Sequence, residues 1–117
     1  PLVFAKKAKS DNIEGGLYRS DIYSFTYKKQ VTLIVASQWL SASDKVFIVD
    51  DFLANGEELR GLVEIVEEAG SELLGIGVAI EKGFQPGGQR LRDAGIHLES
   101  LAIIEQADEH GVVFRGE

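Results

Sequence analysis

Residues 46–58, VFIVDDFLANGEE, constrain the fold most strongly because two different structural patterns meet in them. Residues 46–49 form a continuous apolar run, which is typical of a strand buried on both faces. Asp50 and Asp51 follow this run, and Asn55-Gly56 is a common turn dipeptide. The segment therefore predicts a buried strand that leads to two adjacent carboxylates and then to a turn.

The residues after this turn change from a strand pattern to a helical one. An apolar face of the predicted helix comprises Leu59, Leu62, Val63, Val66 and Ala69, and a charged face comprises Glu58, Arg60, Glu64, Glu67 and Glu68. Gly70 is a typical residue at which a helix stops. Residues 73–82, LLGIGVAIEK, form a second apolar run. Together these segments predict a strand–helix–strand unit with parallel strands and a right-handed crossover.

The other segments complete an α/β pattern, predicted here as a single domain over residues 1–117. Residues 2–5 look like the entry into a strand, and residues 10–21 have the composition of a loop. An antiparallel hairpin is predicted from residues 22–27 and 31–37, which are rich in aromatic and β-branched side chains. Towards the end of the chain, we expect a helix over 89–95, a strand over 97–106 and a closing strand over 112–115.

Composition and charge narrow the function classes. The net charge of −7 argues against a general nucleic-acid binder, which needs a basic face to displace counterions from phosphates. No apolar run reaches the ~18 residues of a membrane span, and no signal-peptide pattern is present. Cysteine is absent, so no disulfide or cysteine-ligated metal forms. These features suit a cytoplasmic location. The chain starts at Pro1 and contains no methionine, which suggests a fragment of a longer protein.

The segment around the two aspartates could bind a phosphorylated sugar. Ligands of parallel sheets bind beyond the carboxyl ends of the strands. The N-terminus of the following helix presents unpaired N–H groups to an anion. Carboxylates accept hydrogen bonds from vicinal hydroxyls or bind a hard cation such as Mg²⁺. The simpler alternative is that Asp50 and Asp51 are solvated turn residues.

A resemblance to a known family favours the first interpretation. VFIVDDFLANG resembles the phosphoribosyl-pyrophosphate signature of the type I phosphoribosyltransferases. Residues 3–10 (VFAKKAKS) resemble the basic strand end of the purine members, and residues 23–35 (YSFTYKKQVTLIV) the hairpin flanking their flexible loop. Residues 80–88 (IEKGFQPGG) are similar to a segment of the members that act on xanthine.

The resemblance implies a fold, a reaction and a set of site residues. It implies a parallel sheet flanked by helices with a flexible-loop β-hairpin, of which the N-terminal part, including the hood that selects the base, is missing here. It implies a homodimeric purine-salvage enzyme that makes xanthosine monophosphate from xanthine and phosphoribosyl pyrophosphate with Mg²⁺. Asp50 and Asp51 hold the ribose hydroxyls, directly or through metal and water. The 5′-phosphate lies against Ala54, Asn55, Gly56, Glu57 and Glu58.

The implied purine and pyrophosphate contacts lie in other segments. Lys82 ends the second predicted strand and would donate to a purine carbonyl oxygen, and Phe84 would stack on the base. The pyrophosphate contacts implied at the basic strand end are Lys6, Lys7 and Lys9. For each of these residues the alternative is an ordinary solvated or packed side chain. The 117-residue chain alone is expected to keep the ribose-phosphate site but little transferase activity.

The sequence departs from the wider family at several positions. Glu57 and Glu58 stand where many members carry glycine and threonine, so their carboxylates must point away from a phosphate. No aspartate occupies position 54 and no glutamate position 26, so the catalytic base is unassigned. His97 and His110 lack metal-ligand spacing, and Trp39 is expected to pack at the hairpin or a dimer contact.

Two other protein classes share parts of this pattern. A phosphorelay receiver domain also has an acidic strand end followed by a helix, but it needs a second strand-end aspartate and a later lysine. Asp93 lies in a helical segment and no lysine follows Lys82, so this class is excluded. A phosphoribosyltransferase-fold purine repressor keeps the ligand signature without catalysis and stays open as the alternative.

Overall fold

The protein is described from a computed structural model, which covers residues 2–8, 16–25 and 27–116. The elements confirm the predicted α/β class. The strands are β1 (Lys6–Ala8), β2 (Leu17–Ser24), β3 (Lys29–Ala36), β4 (Lys45–Leu53), β5 (Glu72–Lys82), β6 (Leu98–Asp108) and β7 (Gly111–Phe114), and the helices are α1 (Glu57–Ala69) and α2 (Gly87–Asp93).

The chain divides into two compact units. The first comprises Pro1–Val46 and Glu57–Leu73, and the second comprises Phe47–Gly56 and Leu74–Glu117. Each unit combines one sheet with one helix, so each is described by itself. No helix in the described part of the chain is long and apolar enough to cross a membrane.

The first unit contains an antiparallel sheet in the order β1-β3-β2. The predicted hairpin is confirmed as β2 and β3, which pair from Leu17↔Ala36 to Ser24↔Lys29. However, β2 begins at Leu17, inside the segment 10–21 predicted as a loop, of which residues 10–15 lie outside the described residues. The polar composition of this segment suggested a loop, but its polar residue Ser20 is buried in the strand. The Ser20 hydroxyl donates a hydrogen bond to the Glu64 carboxylate of α1. Residues 2–5 precede β1 instead of forming a strand, and their side chains are exposed.

Helix α1 packs against this sheet, and its bounds match the prediction. Ile65 forms a core with Ile22, Leu33 and Val35. Gly61 allows a close approach, because a Cβ at this position would lie 2.6 Å from Cγ2 of Ile22. The helix stops as expected at Gly70, whose φ is 72°. The residues buried along α1 are Leu59, Gly61, Ile65, Val66 and Ala69.

The second unit contains a four-stranded sheet in the order β4-β5-β6-β7. Strands β5 and β6 are parallel, with Ile76 opposite Leu98 and Lys82 opposite Ile104. Strands β6 and β7 are antiparallel, as the predicted closing hairpin requires. The buried apolar side chains of this unit are Ile48, Leu53, Ile76, Val78, Leu91, Leu98 and Ile104.

Strand β4 differs from its prediction in length and burial. It continues to Leu53, so Asp50 and Asp51 lie within the strand and not beyond its end. The expectation that both of its faces are buried is wrong, because Phe47 is 56% and Val49 is 73% exposed. Along this apolar run burial alternates, because the side chain of Ile48 is buried while those of Phe47 and Val49 are exposed.

Candidate functional site

The two adjacent carboxylates occupy the C-terminal part of β4. The backbone N–H of Asp51 donates to Oδ1 of Asp50 at 2.8 Å, and the N–H of Phe52 donates to Oδ1 of Asp51 at 2.8 Å. Asp50 is partly buried and Asp51 is exposed. Each aspartate is therefore held by the main chain of the residue that follows it.

These hydrogen bonds also keep the second carboxylate ionised. The pKa of Asp51 is lowered, first because its carboxylate accepts from the N–H of Phe52, then because of its hydrogen bond with Asp50. A carboxylate that accepts hydrogen bonds is stabilised in its charged form. Asp51 consequently presents a negatively charged acceptor at neutral pH.

A tight turn follows the carboxylates, and it lies against the start of α2. Gly56 closes the turn with a φ of 86°, a conformation that glycine adopts without strain. The N–H of Gly87 donates to the carbonyl oxygen of Ala54 at 3.0 Å. A Cβ on Gly87 would lie 2.5 Å from the same oxygen and 2.8 Å from the backbone N of Gly56. Only a residue without a side chain fits against this turn.

Glu57 and Glu58 open α1 and belong to the first unit. Glu57 accepts from the N–H of Tyr23 at 3.1 Å and from Nε of Arg60 at 2.8 Å. Glu58 forms a salt bridge with Lys7 of β1. Both carboxylates are thus engaged by donors within this unit, and one of the three predicted pyrophosphate lysines is among them.

The other two lysines predicted to contact pyrophosphate are Lys6 and Lys9. Lys6 lies in β1 and is exposed. Lys9 lies outside the described residues, so its predicted role has no structural counterpart here.

The predicted purine-contacting residues lie at and after the end of β5. Lys82 is the last residue of that strand, as expected, and Phe84 is 50% exposed in the following loop. Nζ of Lys82 lies 5.7 Å from the ring centroid of Phe52, within the range of a cation–π interaction. Sequence reasoning missed Phe52, although its place directly after the aspartates was a signal that it lies near them.

A buried ionic cluster beneath this loop was also missed. Glu81 is 2% exposed and receives two hydrogen bonds from Arg92, at 2.9 and 2.7 Å. The hydroxyl of Ser100 donates to the same carboxylate at 2.6 Å. These hydrogen bonds, chiefly those from Arg92, lower the pKa of Glu81. Glu81 was overlooked because a glutamate beside a strand-end lysine looks solvent-exposed in sequence.

The remaining polar and aromatic candidates are peripheral. His97 contacts Glu99 at 2.8 Å, His110 lies 3.5 Å from Glu109, and all four side chains are exposed. Trp39 lies in a short 3₁₀ turn and is 60% exposed. Among the described residues, no three histidine, aspartate or glutamate side chains are grouped so that they could hold a metal ion by themselves.

Comparison with curated proteins identifies close relatives over the whole chain. The xanthine phosphoribosyltransferase of Lachnoclostridium phytofermentans is 54% identical and aligns with 100% of this chain. That of Bifidobacterium animalis subsp. lactis is 55% identical and aligns with 92% of it. The chain spans 61% and 56% of these two relatives, respectively. No family model matches the chain.

Comparison with solved structures shows the fold. The adenine phosphoribosyltransferase of Giardia lamblia, solved with 9-deazaadenine, superposes with a TM-score of 0.72 at 27% identity. The match covers 86% of this chain and 55% of that protein. The expected type I phosphoribosyltransferase-like architecture is thereby confirmed.

Proposed function

Because the chain is a homologue of xanthine phosphoribosyltransferases over its whole length, we propose that the protein containing it transfers a phosphoribosyl group to xanthine in purine salvage. The observation that carries this proposal is the segment VFIVDDFLANG, in which two carboxylates lie near the end of β4, before the turn closed by Gly56. In this reaction N9 of xanthine forms a bond to C1 of the ribose as the bond from C1 to pyrophosphate breaks. The N9 proton is released, and the products are xanthosine monophosphate and pyrophosphate.

The sugar-phosphate donor is assigned to the segment from β4 to the start of α1. The carboxylates of Asp50 and Asp51 accept hydrogen bonds from the 2′- and 3′-hydroxyls of the ribose. Asp51 suits this role because hydrogen bonds from the main chain keep it ionised. Backbone N–H groups of residues 54–58 bind the 5′-phosphate, since small residues at 54 and 56 let the main chain approach it closely.

The donor residues also fit Mg²⁺, which would neutralise pyrophosphate charge when it is bound. Mg²⁺ commonly takes one or two carboxylates together with substrate phosphates and water, not a complete protein cage. Asp50 and Asp51 provide oxygen ligands of this kind, while the described residues offer no cluster of three such ligands. We therefore assign the metal to these aspartates indirectly, through ribose or water.

The purine is assigned to Lys82, with Phe84 as a weaker contact. The ammonium group of Lys82 donates to a purine carbonyl oxygen, which favours oxopurines over adenine because adenine has no carbonyl group. The half-exposed ring of Phe84 offers a surface on which the base stacks. The pyrophosphate contacts are assigned to Lys6, Lys7 and Lys9. No residue is assigned as catalytic base.

Binding of the donor tests the proposal at the level of the chain itself. We expect the 117-residue chain to bind phosphoribosyl pyrophosphate with Mg²⁺ in a calorimetric titration. Asp50→Asn and Asp51→Asn should each weaken binding about 10-fold or more, as expected when a charged hydrogen bond worth about 1.5–3 kcal/mol is lost. Glu99→Asn removes an exposed carboxylate of β6 and serves as the control, which should bind like wild type.

Activity tests the proposal at the level of the complete gene product. With phosphoribosyl pyrophosphate and Mg²⁺, we expect it to convert xanthine to xanthosine monophosphate, detected by chromatography. Absence of product from xanthine, hypoxanthine and guanine alike would overturn the enzymatic assignment. Product from hypoxanthine or guanine in preference to xanthine would keep the reaction class and change the substrate.

A cellular location and an oligomeric state complete the proposal. We propose a cytoplasmic homodimer that binds neither nucleic acid nor membrane. Light scattering of the purified gene product at several concentrations checks the dimer, because a dimer scatters with twice the mass of one chain.

A further inference from the structure

Two contacts fix the ends of the loop that carries Phe84. At its start, the N–H of Gly83 donates to the carbonyl oxygen of Ile104 at 2.7 Å. At its end, Gly87 donates to Ala54 at 3.0 Å, so the loop meets the turn of residues 54–56 directly. The segment assigned to the base and the turn assigned to the phosphate are therefore joined through their main chains within the second unit.

The contact at Gly87 is made by backbone atoms on both sides. The N–H of Gly87 is one of the first of α2, where no intrahelical acceptor exists, so Ala54 supplies its acceptor. Gly87 does not have a positive φ. Its lack of a side chain is required by proximity, since a Cβ would lie 2.5–2.8 Å from the carbonyl oxygen of Ala54, the carbonyl carbon of Asn55 and the amide nitrogen of Gly56.

A second set of contacts holds α2 itself in place. It is formed by Glu81, Arg92 and Ser100, which we call the anchor cluster. Glu81 precedes Lys82 on β5, Arg92 lies in the last turn of α2, and Ser100 lies on β6. The Arg92 guanidinium binds Glu81 with two parallel hydrogen bonds, a geometry that fixes orientation as well as distance. Gly88 must also lack a side chain, because a Cβ there would lie 2.1 Å from Oε2 of Glu81.

From these contacts we infer that Gly87 and the anchor cluster are positioning residues, which hold the base-contacting segment 82–86 in a fixed place against the phosphate-contacting turn 54–56. This inference rests on the proposed function for the names of the two ligand groups. Neither Glu81 nor Gly87 touches substrate in this scheme. Glu81 acts by fixing α2, and Gly87 acts by transmitting that position to the turn.

The mechanical part of the inference is tested without any ligand, by amide hydrogen exchange of the 117-residue chain followed by NMR. Glu81→Gln should raise the exchange rate of the Gly87 amide at least 10-fold more than that of the Ile76 amide, which donates to His97 at 2.8 Å elsewhere in the unit. Using this ratio removes any effect of uniform destabilisation. Glu105→Gln is the matched control, because it makes the same change in an exposed pair with Arg115. An unchanged ratio for Glu81→Gln would overturn the inference.

The functional part is tested by comparing two ligands, ribose 5-phosphate and xanthosine monophosphate, in NMR titrations. Glu81→Gln should weaken xanthosine monophosphate about 10-fold and ribose 5-phosphate less than about 2-fold, because only the base segment is loosened. Gly87→Ala should weaken both about 10-fold, because the added methyl group displaces the turn. Gln89→Ala is its control, because it changes an exposed side chain of the same helix.

The outcomes separate this inference from the proposed function. If the wild-type chain binds neither ligand, the proposed function fails and the exchange ratio alone decides the mechanical link. If the wild-type chain binds both ligands and Glu81→Gln weakens them equally or not at all, the positioning role is overturned while the proposed function stands.

Discussion

At the scale of single residues, the most informative side chains are those whose neighbours cannot be seen in the sequence. Glu81 is a buried carboxylate held by Arg92 and Ser100. The sequence shows only a glutamate before a lysine. Gly61 and Gly87 are likewise ordinary glycines until the surrounding atoms are known.

The ion pair of Glu81 predicts a specific pH dependence of stability. Arg92 lowers the pKa of Glu81 in the folded state, so the pair stabilises the protein above the ordinary glutamate pKa of about 4.3. This stabilisation is lost as the pH falls through the lowered folded-state pKa. At pH 7 we expect Glu81→Gln to reduce the free energy of unfolding by roughly 1–3 kcal/mol.

Urea unfolding at about pH 7, 5 and 3 checks this prediction. The difference between wild type and Glu81→Gln should be constant from pH 7 to 5 and smaller at pH 3, because protonation removes the wild-type charge. Glu105→Gln again serves as the control. A difference that grows towards acidic pH would contradict the assigned ion pair.

Gly61 predicts a defect of packing in the first unit. Gly61→Ala would place a methyl group 2.6 Å from Ile22 and 2.8 Å from Leu33. Overpacking of this kind costs about 1–3 kcal/mol, of which the better helix propensity of alanine restores up to about 1 kcal/mol. We therefore expect a net loss of stability in urea unfolding. Glu68→Ala, an exposed change in the same helix, should cause almost none, and a stabilised Gly61→Ala would contradict the close contact.

At the scale of elements, the bounds of α1 and β5 followed from sequence, but the surroundings of each element did not. The helical period correctly predicted that α1 begins at Glu57 and ends at Ala69. It could not predict that α1 packs on the hairpin of β2 and β3, where Ile65 joins their core. Periodicity placed Leu59, Val66 and Ala69 correctly on the buried face, but it missed Ile65. The partner of that face depends on residues far away in the chain.

One contact between elements of the first unit is expected to contribute little. The salt bridge between Lys7 of β1 and Glu58 of α1 is about half exposed on both sides, at 47% and 46%. Exposed pairs contribute about 0–1 kcal/mol and are screened by salt. We expect Glu58→Gln to change the free energy of unfolding by less than about 1 kcal/mol at low salt and by nearly nothing at about 1 M NaCl. A larger loss that persists in salt, compared with Glu68→Gln, would show that this pair anchors β1.

At the scale of the whole molecule, the negative net charge disfavours the remaining alternative, a purine repressor. A purine repressor with this fold must bind operator DNA, and its affinity depends on neutralising phosphates. Because this chain carries a net charge of −7, we expect the complete gene product to show no shift of operator DNA in a gel assay at about 50 mM salt, with or without phosphoribosyl pyrophosphate. A basic DNA-binding protein provides the positive control. A ligand-dependent shift would favour the repressor.

The sequence by itself determined the α/β class, the strand–helix–strand order and the family resemblance. Local patterns are sufficient for these properties, because hydrophobic period, turn residues and the DDFLANG segment are all contained in short stretches of chain. The sequence also placed Lys82 at the end of its strand. It did not reveal that β4 continues past Asp50 and Asp51, or that one face of this strand is exposed.

Only the tertiary structure decided which groups approach each other. It brought Gly87 against Ala54 and Gly56, Glu81 against Arg92 and Ser100, and Lys82 near Phe52. These residues are separated by up to about thirty positions in the chain, so no periodic pattern relates them. Their contacts depend on strand pairing and on how closely main chains approach, and both are set by the packing of the folded protein.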